Sequence, residues 1–222
     1  MAVAFQLHSY FRSSASYRVR IALNLKGIDY AQVPVHLVRN GGEQLTDAYR
    51  AVNPDGVVPT LTVDAPGSLH VLTQSIAIIE YLDECFPDRP LLPVSAVDRA
   101  FVRSVALQIA CEIHPVDNLR VLKYLKAVLG ISDPQKDAWY KHWIDLGLAS
   151  VERRLVADDR VGQFVFGDTP SIADICLVPQ IWNARRFNIP LTAYPTVVRI
   201  AEQADTLSAF ANAAPSRQPD AE

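Results

Sequence analysis

The spacing of apolar residues along the first part of the chain alternates between the periods of strands and helices. Residues 5–9 alternate apolar and polar side chains, which is typical of a strand. From Val19 to Leu25 apolar residues recur every three to four positions, and Gly27 is placed to end that helix. The same patterns predict strands at 30–37, 57–63 and 68–72, a short helix at 47–52 and a helix at 75–85. The order β-α-β-α-β-β-α indicates a small α/β domain.

The second part of the chain has helical spacing throughout. Three prolines between Pro87 and Pro93 predict a stiff linker before it. Helices are predicted at 97–113, 119–129, 138–157, 171–184 and 196–211. The tail from Ala213 is small and polar, and we expect it to be mobile. The predicted domains are therefore residues 1–85 (α/β), 86–95 (linker) and 96–222 (all-helical).

Composition then limits the classes of protein. Half of the 222 residues are apolar, which is enough for a substantial core and too many for a disordered chain. With 21 basic and 24 acidic side chains the net charge is −3, so the basic field that nucleic-acid binding needs is missing. No apolar run approaches the ~20 residues of a membrane span, and no secretory signal opens the chain. We expect a soluble cytoplasmic protein that binds neither nucleic acid nor membrane.

Candidate metal ligands and reactive thiols are sparse. The five histidines show no metal-ligand spacing with each other or with cysteine, so we predict no metal site. Cys85, Cys111 and Cys176 are odd in number and far apart, which fits buried thiols in a reducing compartment.

A polar segment, Arg12 to Tyr17, lies between the first strand and the first helix. Its serines are expected to cap the helix, and a helix N-terminus with a nearby hydroxyl can also hold an anion such as a thiolate. Lowering a thiol pKa from ~8.5 to ~6.5 raises its ionised fraction at pH 7 from about 3% to about 75% and requires about 2.7 kcal/mol. One hydrogen bond to the charged sulfur supplies ~1.5–3 kcal/mol, so one serine is sufficient.

Two further segments carry polar candidates. Val58-Pro59 enters a strand; if this bond is cis, the Val58 backbone can pair with an extended peptide-like ligand. Gln74 and Ser75 open a helix and offer an amide, a hydroxyl and an N-terminus to a carboxylate. By contrast, Ser171 and Asp174 form a capping box, and we expect Asp174 to be buried and structural.

In the order of these elements and segments the chain resembles the cytosolic glutathione transferases. The segment Phe11-Arg12-Ser13-Ser14-Ala15-Ser16-Tyr17-Arg18-Val19-Arg20-Ile21-Ala22-Leu23 is similar to the SSCxWRVRIAL signature of the zeta class. The second half matches that class at Asp174 to Gln180, Asn183 to Phe187 and Tyr194 to Thr196. The resemblance implies a thioredoxin-like N-terminal domain, an all-helical C-terminal domain and a homodimer with residues 97–122 at its interface.

The resemblance also implies a glutathione site. Ser13 matches the serine that stabilises the glutathione thiolate, with Ser14 and the helix start through Arg18 beside the sulfur. The other implied glutathione contacts are Gln44, the Val58 backbone, Gln74, Ser75, His114 (glutamine in the family), Asn118 and Arg120. The chain departs from the family at Ala15, where many members have cysteine, so no protein thiol acts at that position.

The activity implied is that of the maleylacetoacetate isomerases, in which glutathione is a cofactor that is not consumed. We expect a short dicarboxylate substrate, with Arg12, Arg120 and Arg186 as candidates to bind its carboxylates and stabilise the developing enolate. Ser13, Ser14, Arg12 and Arg186 are the predicted catalytic residues. A maleylpyruvate isomerase, a conjugating transferase and a non-enzymatic scaffold remain as alternatives.

Overall fold

The computed structural model describes residues 4–222, which divide into two compact units. The first contains the residues up to Pro90 together with Leu207–Glu222, and the second contains Leu91–Thr206. The predicted domain boundaries at residues 85 and 95 stay predictions. The last residues of the chain, which we assigned to the helical domain, are grouped with the α/β unit. The predicted fold class, a glutathione transferase fold with an α/β and an all-helical part, is confirmed.

Four strands of the first unit form one mixed sheet in the order β2-β1-β3-β4. The strands are β1 (Ala4–Ser9), β2 (Ala31–Pro34), β3 (Thr60–Ala65) and β4 (Ser68–Thr73). β1 runs parallel to β2 and antiparallel to β3, and β4 pairs antiparallel with β3. Leu7 and Leu61 face each other across β1 and β3 and are fully buried, so the centre of the sheet is the apolar core of this unit.

The helices follow the predicted order with adjusted ends. They are α1 (Ser14–Lys26), α2 (Asp47–Arg50), α3 (Ser75–Cys85), α4 (Ala96–Leu107), α5 (Leu119–Ala127), α6 (Asp133–Val156), α7 (Ile172–Arg186), α8 (Pro195–Asp205) and α9 (Ser208–Ala213). A π-helical turn, Gln108–Ile113, continues α4. Among the described residues no helix combines the length and the apolar character that crossing a bilayer requires.

Several predicted ends are wrong for reasons that involve proline and capping. β2 ends at Pro34 and β3 begins after Pro59, since proline cannot donate a ladder hydrogen bond. α6 begins five residues earlier than predicted, because Ser132 caps it in a capping box and Pro134 is tolerated in a first helical turn. The helix predicted at 196–211 is two helices, α8 and α9.

The C-terminal tail also differs from its prediction. Pro215–Arg217 form a 3₁₀ turn, and the buried Gln218 side chain donates to the carbonyl oxygens of Asn212 (2.9 Å) and Ala214 (2.8 Å). The tail is thus hydrogen-bonded to the first unit where we expected a mobile segment.

Two predicted caps are confirmed. Gly27 ends α1 with φ of 68°, in the left-handed region that favours glycine. Asp174, fully buried, accepts from the Ser171 and Val165 backbone N–H groups and from the Ser171 hydroxyl, each at 2.8 Å. Burial raises the pKa of Asp174 to about 6, and these hydrogen bonds oppose the rise.

Candidate functional site

The first candidate, Ser13, caps α1. Its Oγ accepts the Ser16 backbone N–H at 3.2 Å, and its own N–H donates to the Tyr10 carbonyl at 2.9 Å. Because Oγ acts as an acceptor in the cap, its hydroxyl proton is not used there and remains available to a ligand. Ser14, the first residue of α1, is buried. The capping and anion-binding interpretations of this serine are therefore compatible.

Arg18 connects two of the predicted ligand-binding segments. Its side chain is 1% exposed, and Nη1 donates to Ser75 Oγ at 3.3 Å. Ser75 is the first residue of α3, preceded by Gln74, whose φ of 67° lies in the left-handed region. Such a backbone costs a non-glycine residue energy and is found at ligand sites. Gln74 itself is exposed, so its amide can reach a ligand.

The backbone at Val58 is fixed by side chains from the preceding segment. The Val58–Pro59 peptide bond is cis. The Val57 carbonyl accepts from the Tyr49 hydroxyl (2.7 Å) and from the Asn53 amide (2.9 Å), and both side chains also contact Thr60 Oγ1. Burial raises the pKa of Tyr49, which keeps its hydroxyl a donor. Val58 packs in one apolar cluster with Tyr10, Phe11, Val35 and Tyr49.

Gln44 has an unsatisfied buried oxygen. The residue is 9% exposed, and its Oε1 is buried with no hydrogen-bond partner. Gly42 allows this placement, because a Cβ on it would lie 2.7 Å from the Gln44 amide. Buried polar atoms are normally paired, so a lone acceptor here indicates a site for a donor from outside the chain.

Arg12 is held over aromatic rings next to Ser13. Its guanidinium carbon lies 4.8 Å from the centre of the Phe11 ring, and its Nη2 is 3.9 Å from Glu222. The Glu222 carboxylate also contacts Arg39 (2.6 Å) and His36 (3.4 Å). The hydrogen bond from Arg39 lowers the pKa of Glu222 below its usual range. The tail thus places an anion beside a residue that we predicted to bind one.

The remaining candidates lie in the second unit. His114 follows the π-helical turn, and its Nε2 is 3.3 Å from Asn118 Nδ2. Asn118 caps α5, its Oδ1 accepting the Arg120 backbone N–H at 3.1 Å. The Arg120 side chain is exposed. The structure brings His114 and Asn118 together, and Arg120 follows within the first turn of α5.

Arg186 lines a cavity of about 600 Å³ in the second unit. Its guanidinium carbon lies 4.5 Å from the Phe187 ring centre and 5.6 Å from that of Trp182. The cavity residues are Asp117, Leu119, Leu122, Lys123, Lys126, Ala127, Lys136, Arg186 and Phe187. Asp117 is 8% exposed, neither of its carboxylate oxygens has a hydrogen-bond partner, and burial raises its pKa to about 8. A neutral Asp117 leaves this cavity cationic.

The sequence patterns missed several of these residues. No motif marks Asp117, Tyr49 or Asn53: the first is distinguished only by its burial, and the other two by their hydrogen bonds to Val57 and Thr60. Two of the three cysteines, Cys85 and Cys111, are exposed, so the expectation of buried thiols is wrong for them and right for Cys176. Among the described residues, no group of three or more His, Cys, Asp or Glu side chains is arranged to hold a metal ion.

Comparison with known proteins places this geometry in a family. The N-terminal domain model of glutathione S-transferases matches residues 7–90, and the C-terminal domain model matches residues 137–210. A probable maleylacetoacetate isomerase of Vibrio cholerae is 48% identical over 97% of each chain. The chain belongs to the glutathione S-transferase family.

Solved structures of family members are similar over the whole chain. The holo structure of a bacterial maleylpyruvate isomerase, described as a zeta-class glutathione transferase, has a TM-score of 0.92 at 43% identity, covering 98% of this chain and 100% of its own. A maleylacetoacetate isomerase of Anaeromyxobacter dehalogenans with bound glutathione has a TM-score of 0.90 at 40% identity, covering 100% and 99%. The resemblance to zeta-class transferases is thus confirmed.

The residues of this chain fit glutathione, the cofactor of its family. Glutathione carries a thiol, two carboxylates, an ammonium group and two amide N–H donors. Ser13 offers a hydroxyl proton at a helix N-terminus, Ser75 lies at a second helix N-terminus, and Gln44 Oε1 is an acceptor in need of a donor. All three lie in the first unit.

Proposed function

We propose that this chain is a glutathione-dependent cis–trans isomerase that converts maleylacetoacetate to fumarylacetoacetate. The observation that carries the proposal is the uncommitted hydroxyl proton of Ser13 at the start of α1, in a chain that aligns nearly end to end with isomerases of this name. Bound glutathione supplies a thiolate that adds to the cis double bond and is eliminated after rotation, so it is regenerated.

In this proposal the first unit binds glutathione and maintains its thiol as the anion. Ser13 donates its hydroxyl to the sulfur, and the N-terminus of α1, including Ser14, adds a favourable dipole. Arg18 holds Ser75 at the start of α3, where Gln74 and Ser75 receive the γ-glutamyl carboxylate.

Two further contacts of the first unit complete the proposed glutathione site. The Val58 backbone, fixed through the Val57 carbonyl, pairs with the cysteinyl moiety. Gln44 contacts glutathione near its glycyl end through its unsatisfied oxygen. We also keep His114, Asn118 and Arg120 of the second unit as proposed ligand contacts, on the strength of the family resemblance.

The dicarboxylate is bound by arginine in this proposal. Arg186 is exposed to a cationic cavity, and guanidinium binds a carboxylate bidentately without losing its proton. Arg12 stabilises the negative charge that develops on the substrate during addition. Its stacking on Phe11 limits the side-chain freedom that would be lost on binding.

Maleylpyruvate isomerase is the alternative that a specific observation favours, because two structurally similar proteins carry that name. The same residues would serve it, since both substrates are short cis dicarboxylates. A conjugating transferase would share the glutathione site and differ in the acceptor. A scaffold without activity would not need the unsatisfied Gln44 oxygen or the buried Arg18–Ser75 contact.

We further infer that the protein is a cytoplasmic homodimer that contributes to tyrosine and phenylalanine breakdown. The support for the dimer is apolar surface on α4, where the Val97 side chain is 73% exposed and Leu107 is 41% exposed. Light scattering coupled to size exclusion should give about twice the mass of one 24.5 kDa chain, and a Val97→Asp variant should shift it toward monomer.

The decisive assay follows conversion of maleylacetoacetate with and without glutathione, with maleylpyruvate as a competing substrate. Turnover of maleylacetoacetate that depends on glutathione supports the proposal. Preference for maleylpyruvate would support the alternative with the same residues. If neither is converted and the protein is retained on a glutathione column, it is a glutathione binder with another acceptor; if it flows through, the scaffold interpretation is favoured.

A further inference from the structure

The loop between β1 and α1 is hydrogen-bonded to a buried arginine, Arg20. Arg20 has no exposed surface. Its guanidinium donates to the carbonyl oxygens of Phe11 (3.0 Å) and Tyr10 (3.5 Å) and to Ser9 Oγ (3.0 Å). A single side chain therefore fixes both carbonyl groups that precede Arg12.

The C-terminal tail binds the same loop at the backbone N–H of Phe11. Asp220 Oδ2 accepts the Phe11 backbone N–H at 3.0 Å, and its Oδ1 accepts Gln32 Nε2 at 3.2 Å. The peptide between Tyr10 and Phe11 is thus bound at its carbonyl by Arg20 and at its N–H by Asp220. We call Arg20 and Asp220 the loop clamp.

Arg20 is also hydrogen-bonded to the segment that carries Asp220. Arg20 Nε donates to the Ala213 carbonyl at 2.9 Å, where the tail begins. Burial lowers the pKa of Arg20 to about 10, and the negative charge of Asp220 is one of the influences that oppose this shift. Gln218 fixes the tail between these two points through its bonds to Asn212 and Ala214.

The loop clamp connects to Ser13 through one carbonyl. The Tyr10 carbonyl that Arg20 contacts also accepts the Ser13 backbone N–H at 2.9 Å. The position of the Ser13 backbone therefore depends on the peptide that the clamp holds, and from that backbone the cap to the Ser16 N–H places the Ser13 hydroxyl. Asp220 lies 209 positions from Phe11 in sequence, so the contact is purely tertiary.

We propose that Asp220 is a positioning residue that acts through Phe11 and Tyr10 to aim the Ser13 hydroxyl at the thiolate of bound glutathione. This inference rests on the proposed glutathione site and goes beyond it, because it makes the ionisation of the bound thiol depend on the C-terminal tail. A hydrogen bond to an anion loses strength steeply when its direction is poorly defined, so a loosened loop raises the pKa of the thiol.

The test compares Asp220→Ala with Asp220→Asn. Alanine removes the acceptor of the Phe11 N–H, whereas asparagine keeps one oxygen acceptor for that N–H, removes the charge and replaces the acceptor of Gln32 Nε2 by an amide NH2 group. The first measurement is hydrogen–deuterium exchange at the Phe11 amide without ligand, and D220A should exchange at least about tenfold faster. The second is a spectroscopic titration of the thiolate absorbance of bound glutathione, in which the pKa should rise by about one unit in D220A.

The rate gives a third measurement. Starting from a bound thiol pKa of about 6.5, a rise of one unit costs about threefold in kcat/KM at pH 7, about eightfold at pH 6 and almost nothing above pH 8.5. A variant that is merely less stable or binds less glutathione would lose rate equally at all these pH values.

Asn24→Ala is the matched control. Asn24 Nδ2 donates to the Ala209 carbonyl at 2.9 Å, so it also ties α1 to the C-terminal segment but does not contact the loop. N24A should leave the thiol pKa unchanged, and D220N should behave like the native protein. The proposal is overturned if D220A leaves the thiol pKa and the Phe11 exchange rate unchanged, or if it lowers the pKa, which would mean that Asp220 acts only by its charge.

Failure of the proposed function gives a different result. If the native protein ionises bound glutathione but converts neither maleyl substrate, the isomerase proposal fails and the thiol titration still decides the role of Asp220. If it binds no glutathione at all, both proposals fail.

Discussion

Replacing Arg186 by alanine should weaken binding of the dicarboxylate while leaving glutathione binding unchanged. A charge-assisted hydrogen-bonded pair contributes ~1.5–3 kcal/mol when shielded, and much less at the surface. Because Arg186 is exposed to the cavity and stacked on Phe187, we expect its loss to weaken dicarboxylate binding by about 1–2 kcal/mol. This loss corresponds to a KM about 5- to 30-fold higher. Steady-state kinetics with each substrate varied in turn measures both affinities. Arg186→Lys keeps the charge but not the bidentate geometry and should lie between.

The neighbouring arginine provides a matched control. Arg185 is on the same last turn of α7 and is also exposed, but its guanidinium already has acidic partners, Glu202 at 3.4 Å and Asp205 at 3.7 Å. Arg185→Ala should therefore leave the dicarboxylate KM within about twofold of the native value. Equal increases in the two variants, or a parallel loss of glutathione affinity in Arg186→Ala, would refute the assigned role of Arg186.

Ser13, Asp117 and Asp174 can each be tested by a single substitution. Ser13→Ala should raise the pKa of the bound thiol by about one to two units, because it removes the hydroxyl that donates to the sulfur. Ser132→Ala also removes a helix cap, and it should lower the unfolding free energy by about 1 kcal/mol in a denaturant titration without changing that pKa. Equal pKa values in both variants would contradict the thiolate role of Ser13. The KM for the dicarboxylate should rise as pH increases through about 8, because Asp117 is neutral below its raised pKa and adds a negative charge to the cavity of Arg186 above it. Asp117→Asn should remove this rise, and a rise that persists in the variant would assign it to another group. Asp174→Ala should cost about 3 kcal/mol or more of unfolding free energy, since it leaves three buried donors unpaired; a loss below about 1 kcal/mol would show that water replaces the carboxylate.

Local pattern sufficed for the order of the elements and for the polar residues that begin α1 and α3. Ser13 and Ser75 were predicted because a helix N-terminus is visible in sequence as a polar residue before an apolar period. The contact between Arg18 and Ser75 is not predictable in this way, because no local signal shows which charged residue of α1 turns inward to another segment.

The surroundings of the candidate residues in the second unit were harder to predict for the same physical reason. Asp117 has an ordinary position in a polar turn, and only the tertiary packing around it removes water and its hydrogen-bond partners. The resemblance to the family supplied Arg186 by its position in a motif, while the cavity that gives the side chain its surroundings is a property of the folded unit alone.

The contact between Asp220 and Phe11 has a consequence for synthesis. A ribosome makes the β1–α1 loop early and Asp220 after every helix of the second unit, and domains usually fold in the order in which they emerge. Here the unit that begins first needs a segment that is translated after the whole second unit. A nascent chain that has already formed its sheet would carry the Phe11 amide without its acceptor until Asp220 leaves the exit tunnel, so competence to ionise a bound thiol would be acquired only after the second unit has been made.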